Sequence, residues 1–177
     1  IPCLKVHLNL KKKFKQIITI IIPRHIERVE KIKKLSENFG LQTQILKDGE
    51  KISENKEIVI VNSYGVLQNY YKYSKSVFIG KSLNVKFKLD GGQNPIEPAK
   101  CGCKIYHGPY ISNFKEIYGF LKEKKITNEI VNEIDLSQNL IKDFNNKNIN
   151  KKKINEINFY GEQILDLTSK EIFKLSK

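Results

Sequence analysis

The sequence predicts an α/β protein, a Rossmann-like open parallel sheet with helices on both faces, with residues 1–177 forming a single domain. Three observations carry that expectation. Short apolar runs of strand length alternate with helical patterns along the chain, a β-α-β order is complete by Leu46, and motifs built from Gly, Pro and Arg fall directly after the strands.

The elements follow in order. Leu4, Leu8 and Phe14 suggest a short amphipathic helix, and the unbroken Ile/Thr run from Gln16 to Pro23 reads as a central buried strand. A helix from about Ile26 to Asn38 carries Val29, Ile32 and Leu35 on one face and stops at Gly40; strand Leu41 to Leu46 comes next. Beyond a polar loop lie strand Glu57 to Val61, a helix from about Gly65 to Tyr73, and strand Ser76 to Ile79. The loop Lys81 to Gln93 leads into helix Pro95 to Lys100, strand Cys103 to Tyr106, helix Ser112 to Lys124 and a weak strand near Asn128 to Val131. Helices are expected from about residue 135 onward.

Composition narrows the classes. The chain has 177 residues, starts at Ile1 and contains no Met, so it is expected to be part of a longer polypeptide. Three cysteines without zinc-site spacing argue for a reducing compartment and against a disulfide framework. The longest apolar run, Ile17 to Ile22, is far too short for a bilayer span, so the fragment is expected to be soluble. A net charge of +13 would suit nucleic acid or an anionic membrane face. Yet the lysines are scattered, with no aromatic-basic interleaving to stack unpaired bases, so no nucleic-acid partner is expected. The basic tail around Lys151-Lys152-Lys153 is a candidate for peripheral contact with a membrane.

The segment Gly91-Gly92-Gln93-Asn94-Pro95-Ile96-Glu97-Pro98-Ala99 joins a flexible turn to a helix start. Paired glycines let main-chain amides approach a bound group with no Cβ in the way, so such a turn can cradle a nucleotide. Asn94 suits the N-cap and Pro95 the first helical position, where its missing N–H costs nothing. Glu97 then falls in the first turn, complementing the helix dipole and able to accept from a pair of hydroxyls such as those of a ribose. The same spacing also fits a capping box in which Glu97 closes back on Asn94. At the first strand end, Arg24 offers a planar, permanently charged fork to phosphate oxygens, or else an ordinary ion pair with Glu27. His25 beside it reads more readily as a structural group than as a proton donor. Ser63-Tyr64-Gly65, Gly80-Lys81-Ser82 and His107-Gly108-Pro109 follow later strands, and in an open parallel sheet ligands bind beyond those carboxyl ends.

These runs resemble the 3-deoxy-D-manno-octulosonic acid (Kdo) transferases. Gly-Gly-x-Asn-Pro-x-Glu-Pro-Ala is similar to that family's donor-binding motif, and Ile20 to Arg28 is similar to its strand-end Pro-Arg-His-x-Glu-Arg. Val77 to Ser82 looks like its Phe-x-Gly-Gly-Ser turn, and Gly108-Pro109 followed by Asn113-Phe114 is a further match. The resemblance holds in register over about residues 17 to 122 and fades toward the C-terminus.

The resemblance implies the C-terminal, donor-binding half of a GT-B glycosyltransferase, acting in lipopolysaccharide assembly at the cytoplasmic face of the bacterial inner membrane. The donor would be CMP-Kdo, the acceptor a lipid A precursor held by an N-terminal domain absent from this sequence. Contacts to the CMP moiety carry over to Pro23 and Arg24, to Tyr64, Gly65 and Val66, and to Asn94, Pro95, Ile96 and Glu97. The family's base is a Glu of the N-terminal domain, so no catalytic residue is assigned, the fragment alone is expected to be inactive, and no cofactor or metal is implied. Asp48, Glu50 and Asp90 read as turn carboxylates.

Four positions depart from the family pattern: Gln93 and Tyr110 where it has His, Val66 where it has Glu, and Lys81 where it has a second Gly. Val66 has no polar side chain, so the contact made by the family's Glu is lost or replaced and the donor site is weakened. Lys81 could supply a compensating cation near the sugar carboxylate. Two other classes remain open: a UDP-sugar transferase or epimerase of the same architecture, and a basic RNA-binding module whose affinity would fall steeply with salt.

Overall fold

Ile58-Val59-Ile60-Val61 is β-branched throughout and wholly buried, and it forms the middle strand of a parallel sheet, as expected for a strand covered on both faces. The computed structural model describes residues 2–145. These form two compact units, residues 2–69 with 132–145, and residues 70–131.

In the first unit, α1 (Pro2–Lys11) leads to β1 (Thr19–Ile21), a 3-10 turn (Ile26–Arg28), α2 (Val29–Asn38), β2 (Thr43–Leu46) and β3 (Ile58–Val61). The sheet order is β1-β3-β2 and both pairings are parallel. Leu4, Val29, Leu41, Ile58 and Ile60 make the core, with Ile32, Leu35 and Ile45 packed against it. The apolar face expected of the second helix is therefore the one it buries. The first strand differs from expectation. Only Thr19–Ile21 is extended, Ile20 is exposed, and β3 rather than β1 is the middle strand of this sheet. An unbroken Ile run permits a central strand but does not require one, and Ile17 is held in a turn by its amide bond to Phe14 O.

Helix α6 (Glu133–Asn145) completes this unit by packing on α1. Asn132 caps it, its Oδ1 accepting from the amides of Ile134 and Asp135, both at 2.9 Å. Lys5 pairs with Glu133, Asn9 donates to Ser137, and Phe14 meets Phe144 edge to face at 5.4 Å. The helix begins two residues before the expected position; expectations for later helices and for Lys151-Lys152-Lys153 lie outside the described residues.

The second unit contains β4 (Ser76–Phe78), a 3-10 turn (Val85–Phe87), α4 (Ile96–Lys100), β5 (Lys104–His107), a 3-10 turn (Ser112–Phe114), α5 (Lys115–Glu123) and β6 (Thr127–Glu129). Helix α3 (Leu67–Tyr71) precedes β4 in sequence. Here too every pairing is parallel, in the order β4-β5-β6. Ile79, Ala99, Ile105, Leu121 and Ile126 form the core. The α/β class with parallel strands is thus the one predicted. Among the described residues, no helix is long and apolar enough to cross a membrane.

Candidate functional site

In the first unit, the pairing of Ile21 with Ile60 brings β1 and β3 to the same edge of the sheet, so the segments that follow them leave side by side. Pro23 is half-buried there and Arg24 exposed. Among the described residues the Arg24 guanidinium makes no ion pair or hydrogen bond; Glu27, the partner the sequence allowed, is not taken up. His25 is exposed and in extended geometry, and its carbonyl accepts from the Arg28 amide at 3.2 Å, which starts the 3-10 turn. After β3, Tyr64 is 64 % exposed, Gly65 has φ +76°, and Val66 is half-buried. The positive φ explains the glycine, because a side chain there would be strained even in open space.

The second unit builds a tighter assembly from the residues after β4 and β5. Ser82 is fully buried and joins three segments. Its hydroxyl donates to Ile79 O at 2.6 Å and accepts from the Gly108 amide at 2.9 Å, while its carbonyl accepts from the Tyr110 amide at 2.9 Å. Gly108 is obligatory, since a Cβ would stand 2.3 Å from Ser82 O. His107 is also buried; its Nδ1 lies 2.8 Å from Gly108 O, which fixes Nδ1 as the protonated nitrogen, and burial lowers its pKa. The neutral imidazole stacks at a tilt on Tyr118, centroids 4.4 Å apart.

The glycine turn is used differently from the sequence-based expectation. Both glycines are buried, the Gly91 amide donates to Ser112 Oγ at 3.1 Å, and the Gly92 amide donates to Lys81 O at 2.8 Å. These amides are therefore spent inside the protein and do not cradle a ligand. The glycines are required by close packing: a Cβ on Gly91 would lie 2.4 Å from Tyr110 O, and Gly92 has φ +81°. What the turn does is set the angle at which the chain enters α4.

Asn94 behaves as expected, its Oδ1 accepting from the Ile96 amide at 2.9 Å. The helix itself begins one residue later than predicted, at Ile96 with a buried Pro95 as its cap, though the Pro95 carbonyl already accepts from the Ala99 amide. Glu97 is half-buried. Its carboxylate accepts no hydrogen bond from Asn94 and has no partner among the described residues, so the capping box is not formed. Its charge is felt by Tyr71, whose hydroxyl is pushed up to about 12, by burial first and then by Glu97. Cys103 nearby is sequestered, its thiol facing Tyr71 O and Ser74 O, and burial with Cys101 beside it pushes its pKa up to about 12. That thiol is inert at neutral pH.

Lys81 takes the left-handed conformation, φ +60°, at the position where the resembled family has glycine. Its ammonium is bound by Asp90, whose other oxygen accepts from Asn113 at 3.1 Å. A cation neutralised in this way is a loop tether, and the geometry does not favour it as a ligand for a sugar carboxylate. Sequence reasoning missed this network, because nothing local joins Asp90 to a residue 23 positions away. Gln93 offers its carbonyl to Tyr118 at 3.0 Å, which fixes the residue before Asn94 without calling on its side chain.

No protein-family model matches the chain. Individual relatives do. It is 28 % identical over 133 residues to a 3-deoxy-D-manno-octulosonic acid transferase of Aquifex aeolicus, covering 75 % of this chain and 35 % of that protein. It is 32 % identical over 120 residues to the Haemophilus influenzae protein of the same name, covering 68 % and 27 %. A bifunctional glycosyltransferase/methyltransferase of Fusobacterium nucleatum is 32 % identical over 128 residues, covering 71 % and 19 %. The chain therefore spans about a third or less of the length of these curated relatives. Among solved structures, the C-terminal CMP-Kdo binding domain of WaaA from Acinetobacter baumannii superposes with a TM-score of 0.76 at 20 % identity, covering 88 % of this chain and 79 % of that one. In sequence the chain is thus a relative of the 3-deoxy-D-manno-octulosonic acid transferases, and its fold is that of the C-terminal CMP-Kdo binding domain of WaaA.

Proposed function

We propose that the chain is the donor-binding part of a glycosyltransferase that moves Kdo from CMP-Kdo to a lipid A precursor at the cytoplasmic face of the inner membrane. The observation that carries this reading is Glu97, a half-buried residue whose carboxylate has no partner among the described residues. Its two oxygens can accept hydrogen bonds from a pair of ribose hydroxyls. Arg24, equally unpaired at the end of β1, is suited to the donor phosphate and to the charge that collects on it as CMP leaves. Pro23, Tyr64, Gly65 and Val66 are proposed to contribute with Arg24 in the first unit, and Asn94, Pro95 and Ile96 with Glu97 in the second. The acceptor hydroxyl must lose a proton as it attacks the anomeric carbon, and no residue of this chain is assigned that task. The reading is supported by the similarity to enzymes of that name and by the shared fold.

Calorimetric titration with CMP and with UDP tests it. Binding of CMP in preference to UDP, weakened by Arg24→Ala and by Glu97→Ala, is the expected result. Equal binding by native protein and both variants would remove the site assignment, and preference for UDP would move the chain to another class of nucleotide-sugar enzyme.

A further inference from the structure

The loop between Ser82 and Gly91 carries features that donor binding does not use. Its residues are held by successive bonds from the amides of Phe87, Lys88 and Asp90 to the carbonyls of Asn84, Val85 and Phe87, at 2.9, 2.9 and 3.2 Å. Each bond spans three residues, so side chains three apart lie over one another. Asn84, Phe87 and Asp90 therefore share one side, and all three are engaged. Asn84 Oδ1 accepts from the Lys86 amide, Phe87 is half-buried with the Lys81 ammonium 5.6 Å from its ring centre, and Asp90 binds Lys81 and Asn113. The remaining residues, two aliphatics and two lysines, are exposed: Val85, Lys86, Lys88 and Leu89, with the Lys86 ammonium 4.9 Å from the Phe87 ring centre. Val85 is 66 % exposed and Leu89 89 % exposed.

The loop is held by these bonds with Leu89 almost wholly in water, where its apolar surface gains nothing from burial. Its one acidic group, Asp90, is exposed but neutralised by Lys81. Aliphatic tips flanked by ammonium groups, with the one negative charge held by Lys81, complement one kind of surface: anionic headgroups above an acyl boundary. We infer that residues 84–89 form a docking loop for an anionic phospholipid bilayer, with Val85 and Leu89 entering the interface and Lys86 and Lys88 lying among the phosphates. Vesicle binding needs neither donor nor acceptor, so its outcome is independent of the proposed donor site.

The test is co-sedimentation of the full 177-residue chain with vesicles of phosphatidylcholine alone and of phosphatidylcholine mixed with phosphatidylglycerol. Binding only to the mixed vesicles is expected. Lys86→Gln/Lys88→Gln should lower the partition coefficient by about thirty-fold, the equivalent of about 1 kcal/mol for each lysine. Because the chain carries a net charge of +13, loss of equal charge elsewhere is the control: Lys31→Gln/Lys34→Gln, on exposed positions of α2, should change binding by less than about threefold. Val85→Ser/Leu89→Ser keeps the charge and should still weaken binding about tenfold. Equal loss in the two lysine variants, or full binding by the serine variant, would overturn the proposal in favour of diffuse electrostatic adsorption. The chain has no Trp, so Leu89→Trp gives a single fluorophore whose emission should shift to the blue on mixed vesicles. Sedimentation of this variant with an unshifted emission would equally defeat the loop assignment.

Discussion

The Gly108 amide donates to Ser82 Oγ at 2.9 Å, and Ser82 is fully buried where the segment after β4 meets the segment after β5. Ser82→Ala would strand the Gly108 amide and the Ile79 carbonyl in a dry site, and a loss of about 2–4 kcal/mol follows from two buried groups left unmade. Gly108→Ala is expected to be worse, because its Cβ must displace main chain 2.3 Å away rather than a mobile side chain. Urea denaturation of both variants checks the order. A Gly108→Ala protein as stable as native would mean that the two segments can separate without penalty.

Lys81 supplies a test of backbone strain. Both Lys81→Gly and Lys81→Ala remove the pairing with Asp90, which at the surface contributes little. Only the glycine variant also relieves the left-handed backbone at φ +60°. Lys81→Gly should therefore be more stable than Lys81→Ala by about 1 kcal/mol, the cost of holding an L-residue in that conformation. Equal stabilities would show that the loop relaxes to a negative φ once the lysine is gone.

The reach of sequence reasoning follows from which forces are local. Strand and helix order, the cap at Asn94 and the need for glycine at positions 91 and 92 were legible, because periodicity, capping chemistry and backbone freedom act within a few residues. The purpose of those glycines was less so. Gly91 and Gly92 read as an open cradle, whereas they exist to let one stretch of main chain lie against Tyr110 and Ile111, a contact that no local pattern announces. The same holds for Lys81, whose ammonium looked available until Asp90 and Asn113 were seen to enclose it. Residues 84–89 alternate polar and apolar side chains with the two-residue period of a strand, so the 3-10 turn was not legible and emerged only with the hydrogen bonds.

A buried histidine makes stability depend on pH. His7 is fully enclosed on the buried face of α1, its Nδ1 2.9 Å from Thr19 Oγ1 and its Nε2 without a hydrogen bond, 3.9 Å from Glu57 Oε1. Burial lowers its pKa from 6.5, and Lys11, which binds the same Glu57 oxygen, acts in the same direction while Glu57 opposes. The folded state thus binds fewer protons than the unfolded one just below pH 6.5, so stability is retained above that value and declines as the pH falls through the window down to the folded pKa. His107 shifts the same way and adds to the slope. His7→Asn, which can still meet Thr19 with its amide, should flatten the decline measured by thermal unfolding between neutral pH and pH 5. An unchanged slope would assign the whole effect to His107 and to the carboxylates.

Donor affinity offers the sharpest quantitative check on the proposed site. If Arg24 binds the phosphate through charge-assisted hydrogen bonds, Arg24→Ala should weaken CMP binding by about 1.5–3 kcal/mol, roughly ten- to hundredfold, with Glu97→Gln costing less because the amide can still accept one ribose hydroxyl. Val66 predicts a change of opposite sign. It is half-buried beside Gly65 at the end of β3, where the resembled family carries Glu, so it leaves one polar contact to the donor unmade. Val66→Glu should therefore tighten CMP binding by up to about tenfold, the worth of one hydrogen bond to a charged group, at a small cost in folding stability. Weaker binding by the glutamate variant would mean that the valine shapes an apolar wall for the nucleoside, and that the departure from the family is an adaptation of this pocket rather than a loss.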